Sequence, residues 1–168
     1  RGGLVVVGSH VSGTTRQLDA LRESHTELEL TIDVDHVLDG RRDSHLVSLI
    51  ESALEALPHG NVVISTTRLV VTGHSARDSL AIARTVSAAV VELVNRVVAS
   101  SAPRFVLAKG GITSSDVAIH GLEINRAIVR GPLLPGIVSL WEPVSGPAHG
   151  IPYIVFAGNV GGAESLKH

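Results

Sequence analysis

Short apolar runs alternate along the chain with longer stretches in which apolar residues recur every three or four positions. The runs predict strands, and the longer stretches predict helices. Strands are predicted over residues 4–7, 28–34, 61–65, 105–108, 137–141 and 153–157, and helices over residues 12–22, 44–57, 75–98 and 115–128. Strands that alternate with helices of this length are typical of βαβ units. We therefore predict an α/β fold in which helices flank a mainly parallel sheet, in Rossmann-like layers.

The residue pattern within single elements refines this picture. Val5, Val6 and Val7 form a continuous apolar run, which is typical of a buried parallel strand. Acidic residues alternate through residues 28–34, so that strand is expected at an edge of the sheet or in a half-exposed position. Helix 75–98 is apolar around much of its circumference and is expected to be well buried. The proline-rich segment 131–152 is expected to be mostly turns around one strand.

Composition narrows the class of protein. The chain has 168 residues, of which 44% are hydrophobic and 2% aromatic, so one domain with a core of Val, Leu, Ile and Ala is expected. A net charge of −2 without a basic run argues against nucleic-acid binding. Apolar runs are too short for a membrane span, and the absence of cysteine excludes disulfides and fits a cytoplasmic protein. Because the chain also lacks methionine, it was either processed or is a piece of something longer, and we expect the second.

The first predicted strand is followed by a loop with phosphate-loop spacing. Gly8 and Gly13 are separated as in G-x-x-x-x-G-K-[ST], but Thr14 stands in place of the lysine. Backbone N–H groups and hydroxyls such as those of Ser9 and Ser12 can still bind an anion where the helix begins. The alternative is an ordinary strand-to-helix turn with a hydroxyl cap.

A second glycine-rich segment follows the strand 105–108. Gly110 and Gly111 permit a close approach between backbone and ligand. Lys109 is a candidate for the positive charge that the first loop lacks, unless it is simply solvated. Asp116 is a candidate magnesium ligand through water, unless it only caps the helix with Thr113 in a capping box.

Other strand ends carry weaker signals. The Ser65-Thr66-Thr67 segment is followed by Ser75-x-x-Asp78, which predicts a helix start. Gly158 and Asn159 predict a tight loop, which can hold a phosphate or a nucleoside or can equally be a bare turn. The histidines are scattered, which argues against a histidine metal site. The chain has no G-x-S-x-G motif, which argues against an α/β-hydrolase. It also has no G-x-G-x-x-G motif, which argues against a dinucleotide site.

Taken in order, the motifs resemble the C-terminal domain of the four-carbon acid sugar kinases. The segments that carry the resemblance are Gly8-Ser9-His10-Val11-Ser12, Thr15-Arg16-Gln17-Leu18, Lys109-Gly110-Gly111-Ile112-Thr113-Ser114, Leu134-Pro135-Gly136 and Phe156-Ala157-Gly158-Asn159-Val160-Gly161. The resemblance implies an ATP- and Mg²⁺-dependent kinase for acids of the threonate, erythronate or 3-oxo-tetronate type. It also implies that an N-terminal domain, absent from this chain, holds the sugar acid and the catalytic base.

The resemblance further implies which residues bind nucleotide. Ser9 falls in the motif after the first strand, and Gly158 matches the glycine of the late nucleotide motif. The Gly-Gly-x-Thr nucleotide loop corresponds to Gly110, Gly111, Ile112 and Thr113.

A homo-oligomer is compatible with these features. Two alternatives are a non-catalytic nucleotide- or anion-binding module and a different α/β enzyme, such as an NAD-dependent oxidoreductase.

Overall fold

A computed structural model describes residues 1–8, 12–23, 28–67, 73–134, 138–162 and 165–166. Its strands are β1 (Leu4–Val7), β2 (Leu28–Ile32), β3 (Val62–Thr66), β4 (Val106–Lys109), β5 (Ala127–Leu134), β6 (Val138–Pro143) and β7 (Tyr153–Phe156). Its α-helices are α1 (Ser12–Arg22), α2 (Val34–Leu38), α3 (Arg42–Ala56), α4 (Ala76–Ser100) and α5 (Gly111–Asp116), and α5 continues into a π-helical turn, Val117–Gly121. No helix in the described part of the chain is long and apolar enough to cross a membrane.

The strands form one sheet in the order β2-β3-β1-β4-β7-β6-β5. The pairs from β2 to β7 are parallel, whereas β6 pairs antiparallel with both β7 and β5. The predicted α/β fold with a mainly parallel sheet is therefore confirmed. The predicted edge position of β2 is also confirmed, since β2 lies at one end of the sheet.

Two cores form on opposite faces of the sheet because successive side chains of a strand point to opposite sides. On β1, Leu4 and Val6 join a large core with α3 and α4, whereas Val5 and Val7 join a smaller one with Leu18 of α1. The smaller core is thus covered on its outer side mainly by α1.

Helix α4 corrects the expectation of a well-buried helix. Its second half supplies buried residues of the large core, including Leu93 and Val97, but its first half lies at the surface, where Leu80 is 52% exposed. The predicted helix start is confirmed, because the Ser75 hydroxyl accepts a hydrogen bond from Asp78 N at 3.1 Å.

The predicted helix 115–128 is wrong in both its beginning and its end. The helix begins at Gly111 and passes at Val117 into the π-helical turn. Residues from Ala127 onward instead form β5, which pairs with β6. Gly131, with φ +116°, and Pro132 resemble turn residues in the sequence, but here they lie in an edge strand with irregular register, where a missing N–H is tolerated.

The capping-box interpretation of Thr113 and Asp116 is also wrong. Gly110 occupies the N-cap position, so Thr113 lies inside α5 and Asp116 is its last residue. One further helix, α2, was not predicted. It begins after Ile32 because Asp33 ends the strand and caps the helix by accepting hydrogen bonds from the backbone of Asp35 and His36.

Candidate functional site

Three strand ends lie side by side at the carboxyl edge of the sheet. Val7, Lys109 and Phe156 are the last residues of β1, β4 and β7, and they are paired in register across the three strands. The loops that follow therefore start next to one another. The helices after β1 and β4 belong to opposite faces, since α1 contributes to the smaller core and the segment after α5 to the larger one. Ligands of open α/β sheets bind at such a switch point.

The first two loops touch at this edge. Gly8 donates from its backbone N to Lys109 O at 3.1 Å. A Cβ atom added to Gly8 would lie 1.9 Å from Thr113 Oγ1, so only glycine leaves room for the threonine side chain. Ser9, predicted to bind nucleotide, lies outside the described residues, and Ser12 is the first residue of α1.

Residues 110–113, the Gly-Gly loop, contain two glycines with different environments. Gly110 is buried, has φ +124° and ψ 143°, and donates to Phe156 O at 2.9 Å. This conformation is essentially restricted to glycine. Gly111 is exposed, and a Cβ atom added there would meet nothing within 4 Å. Ile112 is 78% exposed and Thr113 half-buried, so the outer side of this loop is open to a ligand.

Lys109 is buried at the end of β4, which contradicts the alternative that its side chain is solvated. Its exposed fraction is 0%, and its Nζ donates to Ala157 O at 3.1 Å and lies 3.9 Å from the centroid of the Phe156 ring. Burial lowers the pKa of Lys109 to about 8, because removal from water disfavours the charged form. The side chain thus joins the end of β4 to the loop after β7.

Residues 157–162, the late loop, are also held by helix α1. Thr14 Oγ1 donates to Gly158 O at 3.0 Å. Gln17 Nε2 donates to Val160 O at 3.1 Å and to Gly162 O at 2.8 Å. Both donor residues are buried. Thr14, at the lysine position of a phosphate loop, therefore binds the protein's own backbone.

Comparison with protein families identifies the domain. A family model described as nucleotide-binding C-terminal domain matches residues 4–166. The chain belongs to this family. The match confirms the predicted kinship with the C-terminal domain of four-carbon acid sugar kinases.

Solved structures of similar proteins support the fold of this nucleotide-binding domain. A domain of unknown function from Bordetella bronchiseptica, solved as a domain-swapped dimer with bound citrate, is 22% identical with a TM-score of 0.81. A Haemophilus influenzae protein with the same domain of unknown function is 17% identical with a TM-score of 0.72. Each alignment covers 99% of this chain but only 39% of the other chain, so this chain spans well under half of their length. Comparison with curated proteins gave no match.

Sequence reasoning missed that two residues of the nucleotide-binding domain hold the late loop. Thr14 and Gln17 share one face of α1 with Leu18 and Leu21, at positions i, i+3, i+4 and i+7. Polar residues within an apolar helical stripe must find hydrogen-bond partners when buried. That signal was present in the sequence, although it does not say which carbonyl groups are the partners.

Asp116 and Asn159 lie on different elements, Asn159 on the late loop and Asp116 at the end of α5. Asn159 is exposed on the late loop beside Gly158. The Asp116 carboxylate accepts a hydrogen bond from Ser87 Oγ of α4. It lines a 560 Å³ cleft between α4 and the segment after α5, together with Arg84 and His120 among others. The structure thus brings Gly8, the Gly-Gly loop, Lys109 and the late loop together, and it turns Asp116 toward α4.

Proposed function

We propose that this chain binds ATP or ADP with Mg²⁺ as the nucleotide-binding part of a kinase that phosphorylates a four-carbon sugar acid. The observation that carries the proposal is the convergence of three glycine-containing strand-end loops in a chain of the nucleotide-binding family. Phosphate groups are commonly bound by backbone N–H groups where a parallel strand is followed by a helix.

The described residues suit a phosphate-bearing ligand. Gly110 adopts a backbone conformation that is essentially restricted to glycine, and the absence of a side chain at Gly111 allows a ligand to approach the backbone closely. Ser9, Ser12, Ile112, Thr113, Gly158 and Asn159 remain the further predicted contacts. Lys109 is buried at the end of β4, and its ammonium group already donates a hydrogen bond to Ala157 O of the late loop.

Magnesium would be held mainly by the nucleotide. Among the described residues no group of three His, Asp or Glu side chains is placed to bind a metal ion. When bound, Mg²⁺ would neutralise charge on the phosphates, and phosphoryl transfer depends chiefly on positioning and on such charge stabilisation. The chain's own part is to orient the phosphates and to keep them at the edge of the sheet.

The sugar acid and the catalytic base are proposed to come from a separate N-terminal domain, as the resemblance implies. The Bordetella protein was solved with citrate, an oxygen-rich hydroxy acid, which is the chemical class expected of the acceptor. That protein is also a domain-swapped dimer. A homo-oligomer and a cytoplasmic location stay predictions for this chain.

Calorimetry with MgADP, MgATP and NAD, followed by a coupled assay with threonate and erythronate, tests the proposal. We expect binding of MgADP and MgATP, weaker or no binding of NAD, and no turnover by the chain alone. Turnover should appear when a separate sugar-acid domain is supplied. A preference for NAD would contradict the nucleotide assignment, and efficient turnover by the chain alone would contradict the assignment of the base to another domain.

A further inference from the structure

Four carbonyl groups of the late loop are turned toward the protein interior. Thr14, Gln17 and Lys109 together donate four hydrogen bonds to them, at distances between 2.8 and 3.1 Å. The donors come from α1 and β4, and all three side chains are buried. The carbonyl groups of residues 157, 158, 160 and 162 are therefore fixed from one side.

Fixing the carbonyl groups also fixes the N–H groups. In a planar trans peptide the C=O and the next N–H point in opposite directions, and the described chain has no cis peptide bonds. The N–H groups of Gly158, Asn159 and Gly161 consequently point away from the donors. Within the described residues, none of these three N–H groups has a backbone acceptor.

Several backbone N–H groups that face outward from one short loop form an anion-binding surface. This surface lies directly beyond Phe156, beside the end of β4. Asn159 and Gly161 are exposed, so a ligand can reach the backbone there. The phosphate oxygens of a nucleotide are acceptors of the matching chemistry.

Gln17 is the residue on which this arrangement depends most. It is 1% exposed and supplies two of the four hydrogen bonds, whereas its Oε1 has no hydrogen-bond partner in the described part of the chain. Its contribution therefore lies in the Nε2 donor. A Cβ atom added to Gly161 would lie 3.1 Å from Gln17 Nε2, so the loop and the amide are in close contact.

We propose that Gln17 is a positioning residue for nucleotide phosphate: it holds the late loop so that the N–H groups of Gly158, Asn159 and Gly161 face the phosphate oxygens. The proposal rests on the nucleotide-binding function proposed above. Gln17 itself does not contact the ligand.

Gln17→Met tests the proposal, because methionine has a similar length but no donor. We expect MgADP to bind roughly tenfold more weakly, the effect of losing about two hydrogen bonds at a buried loop. The affinity for adenosine, which has no phosphate, should change by less than about twofold. Calorimetry with both ligands measures the split, and thermal unfolding confirms that the variant is folded.

Asn95→Leu is the matched control. Asn95 Nδ2 donates to Gly121 O at 3.1 Å, so this variant removes an amide-to-carbonyl bond of the same kind away from the three loops. It should bind MgADP like the parent. Thr14→Val, which removes the bond to Gly158 O, is the second variant and should weaken MgADP binding severalfold even where Gln17→Met does not fold.

Backbone ¹⁵N order parameters of the ligand-free chain separate the two proposals. Gly158, Asn159 and Gly161 should fall from about 0.85, typical of rigid backbone, toward about 0.6 in Gln17→Met and stay unchanged in Asn95→Leu. If the parent binds no MgADP but the order parameters fall, the nucleotide function is overturned and the loop-holding role stands. If MgADP affinity and order parameters are unchanged in folded Gln17→Met or Thr14→Val, the positioning role is overturned. Equal losses for adenosine and MgADP would overturn the assignment to phosphate.

Discussion

The Gly-Gly loop and the late loop lie side by side at the carboxyl edge, yet they owe their shapes to different causes. The Gly-Gly loop turns at Gly110, whose φ of +124° is a property of a single residue. The late loop is shaped by donors far away in sequence, because Thr14 and Gly158 are separated by 144 positions. One loop is specified locally, and the other is specified by the packing of α1 and β4 beneath it.

This difference determines how each loop is damaged. A locally specified loop is most sensitive to substitution of its own glycine. A loop held by distant donors is disturbed by substitution of those donors, in addition to any substitution of its own Gly161, whose φ of +85° favours glycine. Three experiments sharpen this contrast, beginning with the one of largest expected effect.

Gly110→Ala should destabilise the domain by about 3 kcal/mol, near the upper end of the cost of forcing a side chain into a conformation essentially restricted to glycine. Nucleotide affinity should fall with it, because the turn precedes α5. Urea denaturation and MgADP calorimetry measure the two effects.

The neighbouring glycine provides the control. Gly111→Ala adds a Cβ atom that meets nothing within 4 Å, at the first position of a helix. Its stability should therefore stay the same or rise by up to about 1 kcal/mol. Similar losses of stability in both variants would show that Gly110 does not specify the loop through its backbone.

The contrast also explains which parts of the site were predictable from sequence. Both glycine loops were located correctly, because strand ends and glycines are local signals. The helix 115–128 was wrong because Ile124 and Ile128 fit helical spacing, whereas pairing with β6 makes residues from Ala127 onward a strand. For Lys109 the sequence predicts either a charged ligand contact or a solvated side chain and does not decide between them. Its burial against Phe156 depends on which strands are neighbours, and no local pattern reveals that.

Lys109 links the two loops, and its titration gives the second test. Because burial lowers its pKa from 10.5 to about 8, the unfolded chain binds more protons than the folded chain between these pH values. Raising the pH through this range therefore stabilises the fold, by about 2 kcal/mol between pH 8 and pH 10. Lys109→Met, which keeps an unbranched side chain over Phe156, should lack this rise.

Urea denaturation at intervals from pH 7 to pH 10 measures the effect as a difference between parent and variant. The range ends at pH 10 because burial raises the pKa of Tyr153, and that shift costs stability as the pH rises further. Parallel stability profiles for the two proteins would show that Lys109 titrates as an ordinary exposed lysine. The ratio of ATP to ADP affinity should also stay constant in Lys109→Met, since a residue that positions the late loop affects both nucleotides alike.

The smallest expected effect concerns Asp116, which follows the Gly-Gly loop but faces α4. The sequence-based hypothesis of a water-mediated magnesium contact predicts that Asp116→Asn weakens MgADP binding and leaves magnesium-free ADP binding unchanged. The carboxylate, however, accepts a hydrogen bond from Ser87, and an asparagine side-chain oxygen can accept the same bond. We therefore expect MgADP affinity to change by less than about twofold and stability by less than about 0.5 kcal/mol, the range for substitutions away from special features. Calorimetry with ADP, once in excess magnesium and once in the presence of a chelator, decides between a magnesium contact and a bond to Ser87 alone. A loss confined to the magnesium condition would extend the site beyond the two loops, along α5 toward α4.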